Sequence, residues 1–440
     1  MQNKNLCYST KKYLTLWSFG VNLRISFWVK NLQAFLFALF FCLPILSGAF
    51  LLSLEYEKIY IACNSIFAIF SIVVFLKIPK KMRFNFGFFV GILLFYWIGF
   101  SFFYSPYPFL MPFVSVGVAL IYAGILGLTL WVENLFFRAI MLYFLGYVHP
   151  FYFDWFLPQS FFAYSIFGVD NFSFLCILLA GIVLANFTIK KFFFAGLLLV
   201  LAIFNTNFFT EYQIPFKISL SSTNIPQDAR WDRDFIDSII AQNFEKIYQA
   251  KKEKKEVIVL PETAFPMALN MQPYILEALK NLSKDIVIIT GGMRLENHKS
   301  YNSTYIFTDN KVEIIDKVVL APFGERIPLP DFLAKYFYKI FFGAQEGLES
   351  AQIPRDFILK NQKFRNAICY EGTSSLLYQG NPKYLIMISN NAWFFPSIEP
   401  YFQQILLKYR ARKHGSIIFH SANFSNSMII FPTLFSRIKQ

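Results

Sequence analysis

Charge is what this chain lacks. Only 15% of its 440 residues are Asp, Glu, Lys or Arg, whereas a water-soluble domain carries about 25%. That shortfall excludes a wholly soluble globular protein and a disordered one. Cysteine is scarce too, with Cys7, Cys42, Cys63, Cys176 and Cys369 making five. No two have metal-ligand spacing, and no disulfide framework emerges. Three lie in apolar runs, where cysteine behaves as a small hydrophobe. The four histidines, His149, His298, His414 and His420, form no metal motif, and His420 near a strand end reads as a satisfied core histidine. There is no G-x-S-x-G nucleophile turn, and "FGAQEGLES" is a poor phosphate cradle. No internal repeat or low-complexity linker is present. Neither metal nor cofactor is expected.

Apolar residues fill the space that charge leaves. The chain is 56% hydrophobic and 20% aromatic, with 57 Phe, which points to a membrane protein. The bias is uneven. Residues 1–210 hold 13 Lys and Arg against 5 Asp and Glu, and residues 211–440 hold 28 against 22. A spanning helix needs roughly 20 mainly apolar residues. The candidates are 32–54, 59–76, 86–104, 109–132, 171–189 and 192–210, with a weaker one at 135–148, so about seven spans are expected.

The net charge of +14 does not require nucleic acid. In the first half it gathers at the ends of apolar runs: residues 1–31 as a basic leader, too polar for a signal-peptide core, then "KIPKKMR", Arg138 and Lys190–Lys191. Putting these clusters in the cytoplasm lets the spans alternate and leaves residues 211–440 outside it. The aromatic, Pro-containing segment 149–170 is too broken to span. It reads either as an interfacial or re-entrant segment on the outer side or as a plain aromatic-belt loop.

From about residue 215, short β-rich runs alternate with amphipathic ones. Strands are expected at 257–260, 285–290, 300–308, 312–320, 364–370, 384–390 and 416–423, and helices at 232–251, 271–283 and 399–414. Near-continuous Val and Ile runs suggest strands covered on both faces, hence a layered α/β domain. Thus the expected organisation is a leader (1–31), a transmembrane domain (32–210) and an extracytoplasmic catalytic domain (211–440).

Three polar residues sit at the ends of apolar runs. Glu262 in "VIVLPETAFP" follows a buried strand and lies between two prolines, at the surface or in a site. Lys317 interrupts "VEIIDKVVL", where a solvated strand face is the plain alternative. Cys369 in "RNAICYEG" would alone be structural more often than reactive. Together the three are complete for acyl transfer: a carboxylate base, a thiol nucleophile, and an ammonium to steady thiolate and oxyanion. Glu325 falls in a Pro/Gly-rich loop that reads as a flap.

"LPETAFP", "DKVVLAPFGERIPL", "ICYEG" and "SNNAWF", in this order and spacing, resemble the nitrilase superfamily. With the multi-span half and "NIPQDARW", the chain is similar within it to the apolipoprotein N-acyltransferases. The resemblance covers essentially the whole chain. It implies an α-β-β-α sandwich with Glu262 as general base, Lys317 as oxyanion and thiolate stabiliser, and Cys369 as nucleophile. Glu325 and Glu371 match further family carboxylates, Tyr370 and Trp231 match pocket-shaping aromatics, and Asn390 and Trp393 are expected in the pocket or a flap.

The implied activity moves an acyl chain from a phospholipid, through a Cys369 thioester, to the N-terminal α-amine of a lipid-modified apolipoprotein. The implied setting is a monomer in the bacterial inner membrane with its catalytic domain in the periplasm. One departure from the family is that no apolar run of span length follows "MIIFPTLF", so the C-terminus is expected to stay on the outer side. Segments 149–170 and 331–345 are candidate contacts with the bilayer surface, and the second reads equally as an ordinary packed helix. Two other readings stand beside this one. The same triad would serve a membrane-tethered amidase or nitrilase acting on a small C–N substrate, and a transporter or receptor with an outer binding domain would need no triad at all. The near absence of charge inside the spans weighs against transport.

Overall fold

The computed structural model describes residues 5–186, 189–327, 329–342 and 347–439, with side chains for 28–186, 191–327, 329–330, 332–340 and 347–439. Most of the expected basic leader therefore lies outside the described side chains. Helices occupy all seven places expected in the first half: α1 (Asn5–Ser53), α2 (Glu57–Leu76), α3 (Arg83–Phe95), α4 (Met111–Thr129), α5 (Leu135–Leu145), α6 (Asn171–Ala185) and α7 (Ile189–Ile203). Four stretches, Trp28–Ser53, Glu57–Leu76, Lys80–Tyr104 and Pro108–Thr129, are long and apolar enough to cross a membrane. The third joins α3 to a 3₁₀ stretch, Tyr96–Tyr104. The helices α5, α6 and α7 are shorter.

Arg138 in α5, one of the basic residues that the sequence puts at the ends of apolar runs, closes the end of a neighbouring helix. It is buried, and its Nη1 donates to the carbonyls of Leu76 at 2.8 Å and Ile78 at 2.7 Å. A guanidinium there satisfies carbonyls that the end of α2 leaves free.

The second half is a two-sheet sandwich. The chain continues as β1 (Phe209–Tyr212), β2 (Ile218–Leu220), α8 (Gln227–Arg230), α9 (Arg233–Lys252), β3 (Val257–Val259), β4 (Phe265–Ala268), α10 (Pro273–Leu282), β5 (Val287–Glu296), β6 (Lys299–Thr308), β7 (Lys311–Asp316), α11 (Asp331–Phe342), β8 (Asp356–Leu359), β9 (Gln362–Ile368), β10 (Tyr384–Asn390), α12 (Glu399–His414), β11 (Ile417–Asn423), β12 (Met428–Ile430) and β13 (Phe435–Ile438). One sheet runs β2-β3-β5-β6-β7 with β4 beside β5, and the other runs β12-β11-β10-β9-β8. The strand β13 pairs in parallel with β1.

Strand periodicity sorts the side chains into layers. Val257 and Val259 face the second sheet's Ile386 and Ile388 in one core, while Ile258 and Leu260 turn outward onto Ile247 and Leu279 of α9 and α10. On the far side Leu385 and Met387 pack under Leu407 and Ala411 of α12. The layer order is therefore α-β-β-α, and burying each such aliphatic side chain stabilises the sandwich by about 1.5–3 kcal/mol.

Segment 149–170 starts exposed, at Phe151 and Tyr152, and then turns inward. Residues 154–165 are buried, and Trp155, Phe156 and Phe161 share a core with the spans and with Phe402 and Leu406 of α12. A Trp- and Phe-rich stretch with few charges needs an apolar partner on each side, and it finds the spans above and the catalytic domain below. The expected strand at 312–320 ends early, at Asp316, so Lys317 lies just past a strand rather than inside one.

Candidate active site

Strand polarity brings the three expected residues to one rim. The strands β3 and β9 end there with Glu262 and Cys369 shortly after them, and Lys317 follows β7. Glu262, Lys317 and the neighbouring Glu371 are all buried. Lys317 Nζ is 2.7 Å from Glu325 Oε2 and 3.9 Å from Glu262 Oε1. Cys369 lies close enough for both Glu262 and Lys317 to act on its thiol. Cys369 itself has φ 54° and Thr263, beside Glu262, has φ 49°. This left-handed backbone costs a non-glycine residue of order 1–3 kcal/mol and persists where surrounding structure over-determines it.

The electrostatics suit a resting thiol waiting for its base. Burial, then the Glu262 charge, pushes the Cys369 thiol well above its ordinary value, with Lys317 opposing. Burial also raises Glu262, while Lys317 and the neighbouring Asn302 and Cys369 restrain it. Such a carboxylate is a stronger base than one in water. Burial works against the Lys317 charge, but Glu325 and then Glu262 more than offset it and hold the ammonium form.

Neighbours that the sequence did not single out hold this arrangement. Asn302 on β6 donates Nδ2 to Glu262 Oε1 at 2.7 Å and to Glu325 Oε1 at 3.0 Å, so one amide spaces the two carboxylates around the lysine. Ser300, Ser303 and Thr304 stand beside it in β6, so nothing in the sequence sets Asn302 apart. Arg230, buried, donates Nη1 to the carbonyls of Glu262 and Thr263, each at 2.8 Å. Burial lowers its pKa to about 10, which still leaves it charged at neutral pH.

The expected supporting residues divide. Glu325 meets Lys317 directly. Glu371 clamps two chain segments: its Oε2 accepts from the N–H groups of Val318 at 2.8 Å and Val319 at 3.0 Å, and its Oε1 from Ile368 at 2.8 Å. Burial raises its pKa to about 7 against the pull of Lys317 and these three donors. Tyr370 lines the cavity with Cys369, as expected, and reaches segment 149–170. Its hydroxyl accepts from the Asp154 N–H at 3.1 Å and lies 3.0 Å from Asp154 Oδ1, and its ring stacks on Phe153 and Trp155.

A cavity of about 310 Å³ opens beside Cys369, between the spans and the catalytic domain. Trp97, Tyr122, Phe153 and Phe394 supply much of its apolar wall, and Glu399 and Gln403 of α12 are polar exceptions. The other three expected residues are not in its lining. Trp231 is about half exposed; its neighbour Arg230 reaches the site instead. Asn390 is buried in an amide chain, donating to Gln227 Oε1 and accepting from Asn423 Nδ2, both at 2.8 Å. That chain holds the segment carrying Arg230. Trp393 packs edge-on against Tyr104, ring centres 5.5 Å apart.

Known proteins resemble this chain in sequence over most of its length. The sequence model of the apolipoprotein N-acyltransferase integral membrane domain matches residues 28–206. An apolipoprotein N-acyltransferase from Helicobacter pylori is 43% identical over 416 residues, covering 93% of this chain and 97% of that one. Another from Campylobacter jejuni is 36% identical over 404 residues, covering 89% of each chain. Among solved structures, a CN-hydrolase superfamily protein from Xanthomonas campestris aligns over 48% of this chain and 76% of its own, at 12% identity and a TM-score of 0.36.

Proposed function

The chain belongs to the apolipoprotein N-acyltransferase family, and from that premise we propose that it moves an acyl chain from a phospholipid to the α-amine of a lipoprotein's lipid-modified N-terminal cysteine, through a thioester on Cys369. The observation that carries this reading is the meeting of Glu262, Lys317 and Cys369 at a mainly apolar cavity beside the spans.

In the first half-reaction Glu262 takes the thiol proton, and Cys369 Sγ attacks the ester carbonyl. The Lys317 ammonium faces the oxyanion. The ester C–O bond breaks, the proton on Glu262 passes to the departing alkoxide, and a lysophospholipid leaves. In the second half the acceptor amine attacks the thioester. Glu262 receives its proton, the C–S bond breaks, and the proton returns to Cys369. A thioester keeps the acyl group activated for aminolysis. The apolar cavity wall suits the acyl chain, and its position beside the spans suits two substrates that both live in the bilayer. The seven-helix membrane domain, the outward-facing sandwich and the inner-membrane setting belong to the same proposal.

Trapping the acyl-enzyme tests it. The purified protein is incubated with a phospholipid labelled in its acyl chain, without acceptor. Label that hydroxylamine releases is expected on the parent and absent on Cys369→Ala. Equal label on both, or none on either, would remove the thioester step. Hydrolysis of a small amide in the absence of acyl transfer would favour the amidase reading.

A further inference from the structure

The cavity beside Cys369 holds two polar groups that the acyl-transfer steps do not use. Glu399 is the first residue of α12, and Gln403 follows one turn later on the same face. Glu399 is 1% exposed and Gln403 is 0% exposed, yet both line the cavity. Glu399 Oε2, Gln403 Oε1 and Gln403 Nε2 have no hydrogen-bond partner in the protein. Most buried polar groups in folded proteins are paired; other unpaired atoms occur among the described residues, but Glu399 and Gln403 put three of them in one cavity wall, and an unpaired buried carboxyl is costly to leave that way.

The electrostatic surroundings specify what would pair it. Burial and the nearby Glu262 carboxylate push Glu399 well above its ordinary pKa. Lys317 is engaged by Glu325 and Glu262, and Arg230, which spends Nη1 on two backbone carbonyls and leaves Nε and Nη2 unpaired, is not in the lining of this cavity. Glu399 is thus held toward its protonated form, and a compact cation with hydrogen-bond donors would restore its carboxylate and pair the Gln403 oxygen. A primary ammonium supplies three donors and one positive charge.

We propose that Glu399 and Gln403 form a recognition subsite for a primary ammonium group inside the cavity that reaches Cys369. The subsite deepens the acyl-transfer reading and rests on it for the source of the ligand. That source is either the α-ammonium of the acceptor or the headgroup ammonium of an ethanolamine phospholipid.

Binding without turnover separates these sources. In protein carrying Cys369→Ala, held in phosphatidylglycerol nanodiscs, two ligand pairs are titrated: a short-chain diacylglyceryl-cysteine peptide against its N-acetylated form, and short-chain phosphatidylethanolamine against phosphatidylglycerol. Adding Glu399→Gln is expected to weaken one ammonium ligand about tenfold, the order of a single charge-assisted hydrogen bond, and to leave its neutral counterpart unchanged. The pair that responds identifies the source. Gln403→Leu is expected to weaken the same ligand to a smaller degree. Equal loss for charged and neutral ligands would assign Glu399 to packing and overturn the subsite, as would no loss for either ammonium ligand. Failure of the acyl-enzyme trap alongside retained ammonium discrimination would remove the transfer chemistry and keep the subsite.

Discussion

The Glu371 carboxyl accepts three N–H bonds that tie the segment after Lys317 to the residue before Cys369. Glu371→Gln keeps the shape but turns an amide NH₂ toward backbone N–H donors. A loss of about 2–4 kcal/mol in unfolding free energy is expected, with acyl-enzyme formation slowed more than tenfold; thermal unfolding in detergent and the trapping rate check the two effects. A retained rate would reduce Glu371 to a packing residue. His420 carries a pH prediction. It is buried, bonded to Ser389 Oγ at 2.8 Å, and burial lowers its pKa to about 4. The folded value lies below the ordinary 6.5, so folding disfavours the charged ring. Its contribution is intact above pH 6.5 and is lost as pH falls toward 4. Over that window the parent should lose up to about 3 kcal/mol relative to His420→Gln. The comparison must be pairwise, because Glu371, raised to about 7, acts in the opposite sense.

Among the elements, β5 decides where the base can stand. Gly291 lies so close to the turn after β3 that an added Cβ would meet the Thr263 nitrogen at 2.4 Å and Glu262 Cα at 2.7 Å. These are backbone atoms and cannot rotate aside. Gly291→Ala should therefore push the Glu262 turn outward. Since a 1 Å misplacement can cost about 10²-fold in rate, acyl-enzyme formation should fall by about that factor while circular dichroism reports intact sheets. An unaltered rate would mean that the turn tolerates displacement and that Glu262 is not held by this approach. The helix α12 is the second such element: one face packs under the second sheet, and its first turn carries Glu399 into the cavity.

At the scale of the molecule, the two halves are joined by segment 149–170 and the arginines of α12. Arg412 donates Nη1 to the carbonyls of Phe162 at 3.0 Å, Ala163 at 2.9 Å and Ser165 at 3.1 Å, and Nη2 to Phe167 at 2.8 Å. Arg410 donates Nε to the Thr373 carbonyl at 2.6 Å and stands 3.6 Å from Asp154 Oδ2. Removing Arg412 would strand buried carbonyls, so Arg412→Ala should cost about 3–5 kcal/mol. The catalytic domain and spans should then melt in two calorimetric transitions instead of one; a single transition at the parent's midpoint would show that the join does not depend on this residue. A site that draws both substrates from the bilayer, as proposed, needs its rim fixed relative to the spans, and this seam provides that.

Sequence by itself determined the division into an apolar and a mixed half, the seven helix positions and most of the sandwich strands, because periodicity and composition act locally. It also singled out Glu262, Lys317 and Cys369 as polar residues at the ends of apolar runs, and the family resemblance assigned them roles. Only the tertiary structure decided what surrounds them. Asn302, Arg230 and Glu399 are brought to the site by strand and helix packing over long sequence separations, and no local pattern distinguishes a buried amide or carboxylate from a solvated one. The same reason explains why the burial of Arg138 and of residues 154–165 could not be read from the sequence: the partners that cover both are distant in the chain. Asn390 is likewise a polar residue whose partners, Gln227 and Asn423, lie 163 and 33 positions away.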